Sequence, residues 1–249
     1  MRSIAVALLA CLFYQCWLVE GLNPKTFVAG ATGRTGQRVV NELVAVGAEV
    51  VAGVRDEQKA AGMLGSASVK AVDWTNKEAI KSAMEGCDAV VCTLGASESE
   101  ALDFRGPARV DGQMTQDLIA AAKELGTIKH FTLVTSLGTA KFGMPASILN
   151  LFWGILTFKR KSELALVDSG LPYTIVRPGG MEKPEDDYDM AYDVVLRPAD
   201  STFGGLVSRK QVAKVVAAAV TNTELSANKV IEVITEEVAS PKVLLHPSM

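Results

Sequence analysis

The sequence lacks a basic excess: lysine and arginine total 25 against 28 aspartates and glutamates, a net charge of −3. A nucleic-acid-binding domain normally carries surplus positive charge to meet phosphate, so no nucleic-acid partner is expected. Histidine is nearly absent, and His130 and His246 stand far apart. No cysteine–histidine cluster has metal-ligand spacing, so no metal site is expected. Four cysteines do not make a disulfide framework in a chain of 249 residues. Cys11 and Cys16 lie in an N-terminal apolar segment, and Cys87 and Cys92 fall around a predicted buried strand, where each reads as a small apolar residue. There is no internal repeat and no low-complexity tract. What is left is a globular composition, 49% hydrophobic and 21% charged, long enough for one α/β domain with a large core or at most two small ones.

The first residues stand apart. Arg2 is followed by Ser3 to Val19, seventeen residues without a charge, and then by Glu20 and Gly21. A basic start, an apolar run and a small residue at its end describe a secretory signal peptide with cleavage after Gly21. Seventeen residues is also the lower limit for a spanning helix, so residues 1–21 read as a signal peptide or a signal anchor. Residues 22–249 read as the folded domain.

The domain is organised around Thr26 to Arg38, TFVAGATGRTGQR. Phe27 to Ala29 is a short apolar strand, and Val39, Val40, Leu43 and Val46 follow near helical spacing. A strand, a glycine turn and a helix in that order bind the pyrophosphate of a dinucleotide. Gly30 allows the tight turn, Gly33 lets the backbone approach the phosphates, and Gly36 lets the helix pack against its strand. Thr32, Arg34 and Thr35 complete the turn. The helix N-terminus offers N–H donors and partial positive charge to the phosphates.

Strands and helices then alternate. Glu49 to Val54 and Val69 to Val72 read as strands. Asn76 to Met84 reads as a helix capped by Thr75. Ala89 to Leu94 is an apolar strand ending at Gly95, and Val110 to Leu125 a helix stopped by Gly126. Phe131 to Val134 is a strand ending in Thr135-Ser136. Ser162 to Val167 ends a helix closed by Ser169-Gly170, and Tyr173 to Val176 is a strand ended by Arg177-Pro178. Lys210 to Val220 is a late helix and Val230 to Ile234 a last strand. Repeated βα units predict a Rossmann-type doubly wound α/β fold, with a mainly parallel sheet and helices on both faces.

Ligands of such sheets sit outside the carboxyl ends of the strands. The second strand ends Gly53-Val54-Arg55, where an acidic residue would accept from a free ribose 2′-hydroxyl. Arginine suits a 2′-phosphate, since its planar fork makes paired charge-assisted hydrogen bonds, so NADP(H) is the expected cofactor. Arg34 is a second candidate contact, and Asp56 beside Arg55 keeps NAD(H) open. Asp73 at the third strand end is a candidate for the adenine amino group, or for a helix cap. Thr93, Leu94 and Gly95 end the fourth strand, where close backbone approach to the cofactor ribose favours glycine.

GATGRTG, VRD at Val54 to Asp56, the helix start that contains Asp111, TLVTS at Thr132 to Ser136 and SGLPYTIVRPGG at Ser169 to Gly180 together resemble the short-chain dehydrogenases/reductases, in their atypical, NmrA-like branch. Within that branch, ILNLFWGILTFKRKSELAL and FGGLVSRKQVA resemble the NADP-binding redox subunits of the chloroplast inner-envelope protein translocon. The resemblance implies a plastid location, in stroma or envelope. The leader implies the secretory route and otherwise an endomembrane lumen. That subunit family joins the domain to a Pro/Ser-rich tail that docks ferredoxin-NADP reductase. No such tail follows Pro241, so that docking is not expected.

Active members of the wider family use a Tyr-x-x-x-Lys pair and a serine. Counted back from Ser169-Gly170, the lysine position falls on Lys159 and the tyrosine position on Ile155. A slip of two gives Lys161 and Thr157. Ser136 matches the serine position, and Pro178 lies in the turn that faces the cofactor. The resemblance therefore implies Ser136 and Lys159 at the nicotinamide end without a tyrosine. A missing general acid costs roughly 10²–10⁴ in rate. The expected protein is a weak or specialised NADPH oxidoreductase acting on an unidentified small-molecule or protein acceptor. The alternative is a non-catalytic NADP(H)-dependent redox sensor. Two stretches carry a further reading. Ile148 to Phe158, apolar on nearly every side and followed by Lys159, Arg160 and Lys161, is a core helix that can also make peripheral membrane contact. Glu182 to Asp189, EKPEDDYD, is an acidic loop, either solvated or a lid over the nicotinamide end.

Overall fold

The structure is a computed structural model that describes residues 23–96, 105–140, 154–182 and 185–237. The apolar leader, and residues 148–153 of the expected membrane-contact stretch, lie outside these. Eight strands are present among the described residues: β1 (Thr26–Ala29), β2 (Val50–Val54), β3 (Ser68–Ala71), β4 (Ala89–Cys92), β5 (His130–Val134), β6 (Tyr173–Pro178), β7 (Tyr192–Pro198) and β8 (Lys229–Glu237). They form one sheet in the order β3-β2-β1-β4-β5-β6-β8-β7. All neighbours are parallel except β7 and β8. The strand order reverses between β1 and β4, which makes the crevice at that point the expected ligand site.

Helices cover both faces. On one face, α1 (Arg34–Ala45) lies against α6 (Arg209–Thr221), and Val39, Val40, Leu43, Val212, Val215 and Val216 close the core. On the other, α3 (Lys77–Ala83), α4 (Thr115–Leu125) and α5 (Ile155–Ser169) bury Ile80, Leu118, Ala122 and Leu166 against Phe27, Val90 and Phe131. Two single-turn helices, α2 (Glu57–Ala60) and α7 (Thr223–Ser226), complete the set. Strands β1, β2, β4 and β5 are buried along their whole length. That is why β2, β4 and Phe27 to Ala29 of β1 read as apolar runs rather than as an alternation, while β5 buries His130 and Thr132 among its apolar residues. No described helix is long and apolar enough to cross a membrane.

The structure departs from the sequence reading at several ends. Val46 caps α1 and is exposed rather than packed. Helix α3 is capped by Asn76, whose side chain accepts from the N–H groups of Glu78 and Ala79, and not by Thr75. The stretch expected as one helix from Val110 begins as a π-helical turn, Ala108–Met114, and becomes α4 at Thr115. Strand β7 had no counterpart in the sequence reading. It pairs antiparallel with β8 along Tyr192–Pro198, which lengthens β8 to Lys229–Glu237.

Candidate dinucleotide site

The glycine turn joins β1 to α1. Gly30 has φ +78°, and a Cβ there would stand 3.0 Å from the Thr93 carbonyl carbon. A Cβ on Gly36 would fall 2.1 Å from the Gly30 carbonyl oxygen, so α1 can leave the turn only because position 36 has no side chain. Thr93 Oγ1 donates to the Ala29 carbonyl at 2.9 Å and stitches the end of β4 to the turn. Gln37 Nε2 donates to the Thr32 carbonyl at 2.7 Å. Gly33 is the exposed N-cap of α1, and no side chain caps the helix. The first-turn N–H groups of a twelve-residue helix are thus left to an anion placed ahead of it. A cradle that a Cβ would fill and an uncapped helix fit a pyrophosphate.

Arg55 follows β2 at the surface. Its neighbour Asp56 is the N-cap of α2, and its carboxylate accepts from the Lys59 N–H at 3.1 Å. That carboxylate is occupied locally. Asp73 accepts from Thr75 Oγ1 at 2.6 Å and from its N–H at 2.9 Å, bonds that hold its carboxyl below the usual range. It closes a turn of its own chain rather than capping α3.

Between the carboxyl ends of β4 and β5 lies a narrow cleft, closed to water, lined by Leu94, Leu133, Val134, Thr135, Asp111 and Lys159 among others. Lys159 sits one turn into α5, its side chain 15% exposed, with Nζ 2.6 Å from Asp111 Oδ1. A methyl group on Gly95 would lie 3.6 Å from Asp111 Oδ1 and 3.7 Å from Lys159 Nζ, so the pair stands directly beside Gly95. Ser136 is half-buried next to Thr135, and Thr135, not Ser136, lines the cleft. Pro178 is buried at the end of β6. Ile155 opens α5, four residues before Lys159. Lys161 is exposed, its ammonium 5.2 Å from the centre of the Phe158 ring. The described tyrosines lie elsewhere. Tyr173 opens β6 at the opposite end of the sheet. Tyr188 and Tyr192 stack on each other with ring centres 4.1 Å apart.

Behind Thr135 is a buried carboxylate, Glu163, one turn beyond Lys159 on α5. It accepts from Thr135 Oγ1 at 2.8 Å and Thr139 Oγ1 at 2.9 Å, and from Arg177 Nε at 2.9 Å and Nη2 at 2.7 Å. Burial alone would push its carboxyl up, but Arg177, Thr135 and Arg160 outweigh that and hold it below the usual value. Arg177 continues to Asp200 at 2.9 Å. Neither Asp111 nor Glu163 was singled out as a site residue from the sequence. The available signal for Glu163 was its spacing of four from Lys159, which puts both on one side of a helix.

The described part of the acidic loop keeps Glu182, Glu185 and Asp187 exposed, and its ion pairs run to α1 and α6 rather than to this cleft. Asp186 meets Arg38 Nε of α1 at 2.6 Å, and Asp189 meets Lys214 Nζ of α6 at 2.7 Å. Glu182 reaches Arg209 at 3.2 Å and Arg34 at 3.9 Å. Residues 183–184 lie outside the described set. The segment is thereby tied to the face formed by α1 and α6.

The parallel sheet and glycine turn define a Rossmann-fold protein of the atypical short-chain dehydrogenase/reductase type. Residues 30–223 match the NAD(P)H-binding family, and the chain belongs to that family. It is 45% identical over 246 residues to Protein TIC 62, chloroplastic, of Pisum sativum, a match covering 88% of this chain and 46% of that protein. It is 36% identical over 221 residues to an uncharacterized chloroplastic protein of Arabidopsis thaliana, covering 84% and 76%. Among solved structures, a candidate NAD-dependent epimerase/dehydratase of Bacillus halodurans superposes with a TM-score of 0.74 at 28% identity, over 86% of this chain and 95% of that one. The chain spans less than half the length of the TIC 62 proteins it matches.

Proposed function

We propose that this protein is an NADP(H)-dependent oxidoreductase specialised for acceptors that need no proton from the enzyme. The observation that carries the reading is the cleft beside Gly95, where Lys159 is paired with Asp111 and Ile155 stands four residues before it. The first-turn N–H groups of α1 hold the pyrophosphate. Arg55 and Arg34 read the 2′-phosphate, a choice supported by the commitment of Asp56 to capping α2. Asp73, Thr93, Leu94, Gly95 and Pro178 line the path of the nucleotide, and Lys159 faces its nicotinamide end, with Thr135 in the place expected of Ser136. A bound NADPH supplies a hydride. An aldehyde or ketone needs a proton with it, and lacking a tyrosine costs roughly 10²–10⁴ in rate. A quinone or flavin takes its proton from water and avoids that loss. Residues 22–249 form this one domain. The relatives' names support a plastid location, reached through the leader in residues 1–21, and residues 148–158 supply any membrane contact.

A second reading, a redox sensor, draws on the acidic segment. Asp186 is bound to Arg38, and Glu182 lies near Arg34, on the helix whose N-terminus would hold the phosphates. Occupancy of that helix end then bears on the segment and on what docks there.

Titration with NADPH, NADP, NADH and NAD, followed by thermal shift, tests the cofactor. At one hundred times its dissociation constant a ligand adds about 2.7 kcal/mol to stability. We expect the phosphorylated pair to bind more tightly and the preference to vanish in Arg55→Ala. Equal binding of both pairs removes Arg55 from the site, and no binding removes the nucleotide reading. Turnover of NADPH with a quinone but not with an aldehyde supports the enzyme. Binding without turnover of either supports the sensor.

A further inference from the structure

Strand β7 (Tyr192–Pro198) ends the sheet, and its outer edge faces no other described strand. The hydrogen bonds of β8 show which backbone groups of β7 point outward. The Val233 carbonyl accepts from the Gly179 N–H at 2.9 Å, and the Thr235 N–H donates to the Leu206 carbonyl at 2.9 Å, so the odd-numbered residues of β8 face the β6 side. The even-numbered residues therefore bond β7, where Glu232, Ile234 and Glu236 stand opposite Arg197, Val195 and Asp193. That leaves the backbone groups of Tyr192, Val194, Leu196 and Pro198 at the outer edge. Both ends of this row are closed. The Tyr192 carbonyl accepts from Gln211 Nε2 of α6 at 2.9 Å. Pro198 has no N–H, and its carbonyl accepts from Ser201 Oγ at 2.7 Å. Between them, the outward N–H and C=O groups of Val194 and Leu196 have no hydrogen-bond partner among the described residues. An open edge of this kind pairs with another chain unless something blocks it. The side chains of Val194 and Leu196 pack on the core under α1 and α6, while Asp193, Val195 and Arg197 share the opposite face.

We propose that β7 pairs antiparallel with β7 of a second copy of this chain, about a two-fold axis at Val195. Of the registers that set outward groups against outward groups, this one alone joins the open residues of one copy to those of the other. Val194 donates to and accepts from Leu196 of the second copy, and the symmetric pair repeats it. In the same register Pro198, which has no N–H to give, falls opposite Tyr192, whose carbonyl is already supplied by Gln211. The charges agree as well. Asp193 comes opposite Arg197 of the second copy, at a pair that makes no hydrogen bonds and so brings side chains closest. Within one chain Asp193 stands opposite another acid, Glu236, so an arginine arriving from the outer side meets two carboxylates. A slip of two residues either way sets Val195 opposite Asp193 or Arg197 and loses the charge pairs. Met190 and Phe203, which flank β7 along the chain, are 62% and 80% exposed and add apolar surface near the edge.

The test is a charge exchange, read as the mass of the full chain by sedimentation velocity over a range of concentrations. The wild type should show a monomer–dimer equilibrium. Asp193→Arg and Arg197→Asp each set like charges opposite one another, and each should weaken association about tenfold. Mixed together, the two variants should associate again, since every charge pair across the axis is then unlike. The double variant Asp193→Arg/Arg197→Asp should associate as the wild type does. Association that ignores both single reversals, or that mixing does not restore, places the contact elsewhere and overturns the proposal. A wild type that stays monomeric also overturns it. If the Val194 and Leu196 amides of that monomer exchange slowly with solvent, residues of this chain outside the described set cover the edge instead of a second copy. Should either charge variant not fold, Val195→Cys decides, since its side chains meet on the axis. Self-linking through position 195 in diamide, identified by mass spectrometry, supports the proposal, and its absence overturns it.

Discussion

Gly36 has no room for a side chain. A methyl group there would meet the Gly30 carbonyl oxygen at 2.1 Å, and that oxygen belongs to backbone pinned between Thr93 and β1. The neighbour cannot rotate away, so Gly36→Ala must move α1 off the turn. Overpacking of this kind costs about 1–3 kcal/mol. The expected result is a lower melting temperature together with loss of NADPH binding, read by thermal shift with and without the nucleotide. An alanine variant that melts and binds as the wild type does would show that the turn is not held as described. The glycines were legible in the sequence because their spacing and their place between a strand and a helix carry the geometry. Asp111 entered only as part of a helix-start motif, with no partner, because sequence spacing does not show which way a residue in the first turn of a helix points. Only the fold shows that it points inward to a lysine 48 positions away. Thr135 was passed over for Ser136 for a similar reason: adjacent hydroxyls at a strand end cannot be told apart until the strand's faces are known.

Helix α5 is tied down by two buried ion pairs of opposite polarity, one turn apart. Lys159 reaches Asp111 ahead of α4, and Glu163 reaches Arg177 on β6. Glu163 also holds the threonines that follow β5, so one carboxylate ties together a helix, a strand and a strand end. Glu163→Gln leaves Arg177, 2% exposed, with Asp200 and the more distant Glu232 as its charged partners among the described residues. Removing one partner of a buried pair costs about 3–5 kcal/mol. Urea unfolding should show a loss of that order, and a loss below about 1 kcal/mol would mean that Asp200 and Glu232 carry Arg177 unaided. The element boundaries show which patterns a sequence reveals. The central strands were readable because both of their faces are covered. Strand β7 was not, since Tyr192–Pro198 lies at the sheet edge, is only partly covered, and ends in proline beside an acidic run. The π-helical turn has no signature of its own, because its apolar spacing over one turn matches that of the α-helix it joins.

Across the whole molecule the two ends of the sheet differ in kind. The carboxyl ends carry the glycine turn, Arg55, Lys159 and the buried charges, as the repeated βα units predicted. The amino ends carry packing, and among them is His130, which starts β5 and is 1% exposed. Its Nε2 meets Thr174 Oγ1 at 3.0 Å, and its Nδ1 has no partner among the described residues. Burial lowers its pKa to about 4 from 6.5. The folded state thus binds this proton more weakly than the unfolded chain. Stability from this group is fully present above pH 6.5, is lost as the pH falls towards 4, and changes no further below that. The total is about 3 kcal/mol. Glu163 adds a second loss of the same sign at lower pH. Its carboxyl is held below 4.5, so its contribution is present above 4.5 and disappears as the pH falls through the folded value. Melting temperature should therefore fall in two stages on acidification. In His130→Gln, whose amide can still meet Thr174, the upper stage should flatten while the lower one remains. A variant that loses stability between pH 6.5 and 5 as steeply as the wild type would place the titrating group somewhere other than the buried end of β5.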